Sequence, residues 1–309
     1  MKNYRISIVV PLYNEEKLFA ELVERLTKIL DSLNVATQVV LVNDGSADNT
    51  PFLMQLASGK DKRFKSVLLS RNHGHQVAVS AGMYYADGDE AIMIMDGDLQ
   101  DPPELITEFH SKLKEGYDVV YAIRRNRKEN ALLKLAYWLY YRLQKMVSNY
   151  NIPIDSGDFC MISKRVRDVM VSMPEQSRYL RGMRSWVGFK QIGLEYSRNE
   201  RFAGKSKYSL KKLMQLAFNG IFNFTEFPIK LIYRLGIGSI LLSVLYMVYL
   251  TWKKITGAPL PQGYFTIIFA ISFFSGVQLI CLGLIGEYVF RTYNQVRQRP
   301  LFIVDQVIN

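Results

Sequence analysis

The sequence predicts an α/β domain built on a mostly parallel sheet, followed by a hairpin of two membrane-spanning helices. Three observations carry this. Short apolar runs alternate with helix-period segments over residues 6–122. Polar clusters close successive apolar runs, which supplies a ligand crevice at the carboxyl ends of the strands. Residues 235–252 and 264–288 are mostly apolar and each long enough to cross a bilayer, with Trp252, Tyr264 and Tyr288 near their ends.

The elements follow in order. Residues 6–10 form a first buried strand, broken by Pro11-Leu12-Tyr13-Asn14-Glu15. The spacing of Leu18, Leu22, Leu26 and Ile29/Leu30 predicts a helix over 16–33. A second strand, 38–42, ends in Asn43-Asp44-Gly45-Ser46, and Thr50-Pro51 caps a short helix. Strand three covers 64–69, a helix 75–86, and strand four 91–95. That strand stops at Asp96-Gly97-Asp98, where Gly97 permits a sharp turn and lets the two carboxylates converge. Asp101 with Pro102, Pro103 and Glu104 carries the marks of an N-cap and capping box, predicting a helix over 103–114. Strand five takes 119–122.

Beyond Asn130 the alternation loosens. Residues 131–150 predict a long aromatic-rich helix, and Asp155 to Asp158 a polar turn before an apolar run at 159–162. Residues 179–187 hold Arg181, Arg184 and Trp186. From Ser209 to Phe224, Leu210, Leu213, Met214, Ala217, Phe218 and Ile221 share one stripe beside Lys211 and Lys212. That is the pattern of a helix lying in a membrane interface.

The 309 residues allow one or two domains with a full core, and the net charge is +11. No recognition helix, zinc finger or RNA-binding aromatic signature accompanies the charge, so nucleic acid is not an expected partner. The basic residues gather at 205–212 and in the tail, which suits an anionic membrane surface. Cys160 and Cys281 lie far apart and give no disulfide or zinc pattern; His73 and His75 are close, with His110 remote. The run at 6–10 is too short for a signal peptide, so the catalytic part is expected to stay on the side where it is made. Lys230, Arg234, Arg291, Arg297 and Arg299 outweigh Lys253 and Lys254 in the connecting loop, which predicts cytoplasmic flanks and a multi-pass protein of the cell (inner) membrane.

Neither phosphate-cradling glycine motif is present. A nucleotide must be held otherwise. Asp44 can accept hydrogen bonds from a base or ribose. Asp96, Asp98 and Gln100 offer hard oxygen donors suited to magnesium or manganese, which keeps sites free for a diphosphate. Arg124 and Arg125, at the end of strand five, are placed to offset the charge of a leaving nucleoside diphosphate.

Taken together, PLYNE (11–15), VNDGS (42–46), RNHGHQVAVSAG (71–82), DGDLQDPPE (96–104), DSGDF (155–159), YLRGMRSWVGF (179–189) and RFAGKSKYS (201–209) resemble the membrane-bound polyprenyl-phosphate glycosyltransferases of glycosyltransferase family 2. Bactoprenol glucosyltransferases and dolichol-phosphate mannose synthase are of this kind. The resemblance implies a GT-A, Rossmann-like catalytic domain at 1–208 and an interfacial helix at 209–228. It also implies two transmembrane helices within 229–290 (about 235–252 and 264–288) and a cytoplasmic tail at 291–309. It further implies inverting transfer of one sugar from a nucleotide-sugar donor to a polyprenyl (undecaprenyl) phosphate acceptor at the cytoplasmic face. By similarity, Pro11, Tyr13, Asn14 and Glu15 line the nucleotide pocket with Asp44 near the base, Asp96, Asp98 and Gln100 form the metal shell, and Arg124, Arg201, Ser206 and Lys207 face phosphates. The chain has Asn43-Asp44 and Asp96-Gly97-Asp98 where relatives often carry Asp-Asp and Asp-Ala-Asp.

A lipid phosphate is already ionised near neutral pH and needs little help from a base, so positioning and charge compensation are expected to carry the rate. Asp155 or Asp158 is the family-type carboxylate near the acceptor, expected to orient groups more than to remove a proton. Arg201 and Lys207 are assigned to the lipid phosphate, Lys211 and Lys212 to anionic lipids in general. UDP-glucose is the first expected donor, then UDP-N-acetylglucosamine, then GDP-mannose. Family resemblance favours a homo-oligomer. Two other activities fit less well: a processive polysaccharide synthase, against which the Gln-x-x-Arg-Trp motif is absent, and a non-catalytic scaffold for a flippase partner, against which Asp96 and Asp98 are intact.

Overall fold

The computed structural model describes residues 4–125, 156–197, 227–257 and 263–309. The chain divides into two compact units, one holding the sheet together with residues 300–309, the other holding the two long apolar helices.

In the first unit, β1 (Ile6–Leu12), β2 (Thr37–Asn43) and β4 (Ala91–Ile94) are buried along their whole length, and β3 (Phe64–Leu69) nearly so. Strands covered on both faces read as continuous apolar runs, which is why the sequence announces them. β1 lies between β2 and β4 and parallel to both, and β2 is parallel to β3. β5 (Val119–Arg125) and β6 (Ser156–Ser163) complete one side, with β6 antiparallel to both β4 and β5, and β7 (Gln191–Ser197) pairs parallel to β5. The order is β7-β5-β6-β4-β1-β2-β3-β8, where β8 (Val304–Ile308) runs antiparallel to β3. The mostly parallel sheet is therefore a mixed one.

Pro11 does not break β1, which continues to Leu12. The Val9 carbonyl accepts the Met95 amide and the Leu12 carbonyl accepts the Asp44 amide, so alternate residues face β4 and β2. Pro11 shares the β4-facing side with Val9, and pairing there ends at Val9 and Ile94. Its missing N–H falls beyond the ladder, where nothing is lost.

Helix α1 (Glu16–Ser32) buries Leu18, Phe19, Leu22, Leu26, Ile29 and Leu30 on one face. Leu22 and Leu26 are fully enclosed, and truncating either to Ala costs about 2–5 kcal/mol. α2 (Thr50–Lys60), α3 (His75–Tyr85), α4 (Ile106–Lys114), α5 (Lys164–Ser172) and α6 (Leu180–Val187) follow in chain order. Phe109 of α4 meets Phe159 of β6 with ring centroids 5.2 Å apart, joining the helix layer to the inserted antiparallel strand.

The capping predictions are corrected. A short 3-10 turn, Pro103–Leu105, precedes α4 and receives no side-chain cap. Asp101 is buried and accepts the Tyr196 hydroxyl, while Glu104 takes both Nε and Nη2 of Arg25. A buried carboxylate needs a donor more than an exposed helix end needs a cap. At α2, Asp48 Oδ1 accepts the Thr50 amide at 3.0 Å, and Thr50 Oγ1 serves Glu15 instead.

In the second unit, α7 (Phe227–Ile255) and α8 (Tyr264–Val296) contain Arg234–Lys253 and Phe269–Val296, each long and apolar enough to cross a membrane. Twenty helical residues span roughly 30 Å, the thickness of a hydrocarbon core. Ile240, Leu245, Met247 and Leu279 are exposed, as expected where the surrounding medium is lipid. The predicted aromatic helix at 131–150 and residues 209–226 of the predicted interfacial helix lie outside the described residues, while Phe227 and Pro228 already belong to α7.

Candidate active site

The loops after β1 and β2 are joined through the residues predicted to line a nucleotide pocket. Asn14, at φ 53°, donates its amide to Ser46 Oγ at 2.9 Å, and its Oδ1 accepts the Ala47 amide at 2.9 Å. The Glu15 amide reaches Thr50 Oγ1 at 3.0 Å and the Glu16 amide reaches Asp48 Oδ2 at 3.2 Å. Asn14 and Glu15 thus fix the wall of the crevice, Pro11 lies buried at the end of β1, and Tyr13 is 42% exposed beside them. Asn43 is buried and its Oδ1 accepts the Ser46 amide at 3.1 Å.

Asp44, at the end of β2, is also buried. Its Oδ1 accepts the His73 amide at 2.7 Å and its Oδ2 the Gly74 amide at 3.0 Å. Burial pushes its pKa up, against the pull of those two amides. Gly45 allows the segment carrying them to pass: a Cβ there would sit 2.4 Å from the Arg71 carbonyl carbon and the Asn72 nitrogen.

The turn after β4 brings in the acidic triplet. Gly97 packs against the end of β1, where a Cβ would meet Leu12 Cδ2 at 2.5 Å. Leu99 adopts a left-handed backbone (φ 59°), a conformation that costs a bulky residue about 1–3 kcal/mol. Its side chain is buried in the core, which offsets that cost and fixes the turn. Asp98 Oδ1 accepts the Gln100 amide at 3.2 Å. Asp96 Oδ1 lies 3.6 Å from His75 Nε2. Desolvation in the crevice pushes the Asp96 carboxyl up to about 6; His75 pulls it down while Asp101, Asp158 and Asp98 push it further.

From the other side, β6 presents Asp158. Arg181 Nε donates to its Oδ1 at 2.8 Å, and Gln76 Nε2 donates to its Oδ2 at 3.1 Å. His75 Nε2 stands 3.5 Å from the same Oδ2. Burial alone would raise the Asp158 pKa, but Arg181 and His75 hold it well below the usual carboxylate range. Burial likewise lowers His75, and Asp158 and Asp96 more than reverse this, taking it to about 9.

The structure therefore gathers Asp96, Asp98 and Asp158 at one place and puts Asp44 at the carboxyl end of β2, with β1 between β2 and β4. Arg124 belongs to β5, aligned with Tyr196 of β7. β5 runs the same way as β4, since both are antiparallel to β6, so Arg124 stands at the same edge of the sheet as Asp96. Asp155, Arg201, Ser206 and Lys207 lie outside the described residues. The sequence places His75, Gln76 and Arg181 in the motifs at 71–82 and 179–189 but assigns none of them a site role. The one local hint is that His75 and Gln76 open α3 directly behind Gly74, facing the crevice edge.

Asp96, Asp98 and Gln100 fit a hard divalent cation: all their side-chain donors are oxygen, and the like charges around Asp96 favour a cation there. No three or more His, Cys, Asp and Glu side chains among the described residues are arranged as a metal cage. Such an ion would complete its shell with water or ligand oxygens, as magnesium commonly does.

One chain joins an α/β sheet with acidic strand ends to two helices long and apolar enough to cross a membrane. Residues 7–170 match the family described as glycosyl transferase family 2, and residues 227–291 match the GtrB C-terminal hairpin. The chain belongs to glycosyltransferase family 2 and is an enzyme. It is 42% identical to the uncharacterized glycosyltransferase YkcC of Bacillus subtilis (strain 168), over 99% of this chain and 94% of the relative. Identity to the uncharacterized glycosyltransferase sll0501 of Synechocystis sp. is 41%, over 98% and 95%. The prophage bactoprenol glucosyl transferase homolog of Escherichia coli (strain K12) is 34% identical, over 98% and 99%.

Proposed function

We propose that the protein transfers a single sugar, with inversion, from a nucleotide-sugar to a polyprenyl phosphate at the cytoplasmic membrane face, with UDP-glucose as the donor. The observation that carries this reading is the union, in one chain, of a family 2 catalytic domain with the GtrB-type hairpin. Similarity over nearly the whole length to a bactoprenol glucosyl transferase homolog supports the acceptor and the sugar.

Asp96, Asp98 and Gln100 would hold magnesium or manganese, which when bound supplies charge neutralisation for the diphosphate leaving group. Tyr13 and the Asn14–Glu15 wall take the nucleotide, with Asp44 behind them holding the 73–74 turn. Arg124, Arg201, Ser206 and Lys207 are assigned to phosphates. Asp158 already receives donors on both oxygens, which keeps it ionised and makes it an anchor for Arg181 and not a proton acceptor. The lipid phosphate attacks as an anion, so no base is required.

Purified protein in detergent, undecaprenyl phosphate, magnesium or manganese, and a panel of radiolabelled UDP- and GDP-sugars test the proposal. One labelled lipid from UDP-glucose, lost with chelator and in Asp98→Ala, is the expected result. Label from another donor corrects the sugar. Absence of labelled lipid from every donor, with nucleotide binding intact, overturns the acceptor.

A further inference from the structure

Gln76 stands in the first turn of α3, where three elements meet, and both ends of its amide are used there. Nε2 donates to Asp158 Oδ2 on β6 at 3.1 Å, and Oε1 accepts the backbone amide of Leu180, the first residue of α6, at 2.8 Å. That amide is one of the four a helix leaves without an internal acceptor. The next residue of α6, Arg181, returns to the same carboxylate through Nε and Oδ1 at 2.8 Å. Gln76, Asp158 and the first turn of α6 therefore close a ring of hydrogen bonds.

The ring has one workable orientation. Rotating the amide by half a turn would aim its oxygen at the carboxylate and its NH2 at the Leu180 N–H, so both contacts would become repulsive. The ring also leaves a mark on the ion pair. The second Arg181 contact, Nη2 to Oδ2, is stretched to 3.4 Å, and Oδ2 is the oxygen that Gln76 holds. Gln76 turns the carboxylate away from a symmetric two-pronged pairing with the guanidinium.

We propose that Gln76 is a positioning residue for the transfer reaction, fixing the Asp158 carboxylate and the first turn of α6 so that Arg181 meets the anionic reactants in one orientation. This rests on the transfer activity proposed above. The His75 contact at 3.5 Å adds to the same oxygen but is longer and shared with Asp96. Gln76 has no titrating group, so its contribution persists across pH.

The test is a double-mutant cycle of Gln76→Met and Asp158→Asn, read as kcat, donor KM and donor affinity by calorimetry. Gln76→Met keeps side-chain length and removes both hydrogen bonds. It is expected to lower kcat roughly tenfold, with donor affinity and KM within about twofold of wild type. In the Asp158→Asn background, the same change is expected to cost less than about twofold, because the partner it positions is already altered. Multiplying losses in the double variant, or a single variant with unchanged kcat, would overturn the proposal. A fall in kcat matched by a fall in thermal stability and in donor affinity would assign Gln76 to folding and overturn it as well. Nucleotide release is followed in the same reactions. If wild type releases nucleotide without forming labelled lipid, the polyprenyl acceptor is wrong, while the Gln76–Asp158 coupling is still read from the release rate.

Discussion

Asp44 and Asp158 are two enclosed carboxylates on one sheet, at β2 and β6, and the chain secures them by opposite means. Asp44 is held by backbone amides of His73 and Gly74, donors that any residue except proline supplies. Asp158 is held by the side chains of Gln76, Arg181 and His75, drawn from two helices. The resulting electrostatics diverge. Burial prevails at Asp44, whose pKa rises, whereas the cationic neighbours prevail at Asp158, whose pKa falls. A carboxylate held by the path of a loop depends on the glycines that shape that path, here Gly45 and Gly74; one held by side chains depends on the identity of those side chains.

The largest expected effects break this contrast directly. Arg181→Met leaves Asp158 enclosed without its main partner and is expected to destabilise the domain by about 3–5 kcal/mol in denaturant unfolding. His73→Ala removes a side chain while keeping the amide that Asp44 uses, and is expected to cost under about 1 kcal/mol. Equal losses in the two variants would erase the distinction. In turnover, Asp158→Asn is expected to lower kcat about 100-fold with donor affinity kept, since small misplacements at a reacting centre act on the rate. Asp44→Asn is expected to raise donor KM about tenfold with kcat little changed. Calorimetry with nucleotide separates the two.

Acidification sharpens the same comparison. Asp158 has a folded-state pKa below its ordinary 3.8, so its stabilisation is present above about pH 4 and is lost as pH falls below that. Asp44 has a raised pKa, so its ionisation costs stability near neutral pH, and acidification relieves that cost. Asp158→Asn should flatten the acid limb of a stability profile, and Asp44→Asn should instead remove a gain that comes with acidification. The smallest effect belongs to Arg25→Ala. Its two-pronged pair with Glu104 lies on the surface, outside both sites, and is worth about 1 kcal/mol or less.

Legibility in sequence followed distance along the chain. β1 to β4 announce themselves because burial on both faces writes an unbroken apolar run. Asp44, Asp96 and Asp98 could be found because each directly follows such a run. Asp101 was misread because its local signature is complete, while the residue that claims it, Tyr196, is 95 positions away. Pro11 was misread because its tolerance depends on which neighbour strand its nitrogen would face. Gln76 and Arg181 fall inside the motifs at 71–82 and 179–189, but nothing local assigns either of them a role. Their roles arise only where α3, β6 and α6 converge, across separations of 82 and 104 residues between the bonded partners of Gln76. β8 lies more than 200 residues beyond the strand it pairs with, and no local pattern marks it as an edge.

That last strand orders the molecule in time. During synthesis β3 leaves the ribosome with its outer edge open, and the strand that covers it is translated only after α7 and α8. An uncovered strand edge is a template for unwanted pairing. The sheet of the nascent domain is therefore complete only after both apolar helices have been made.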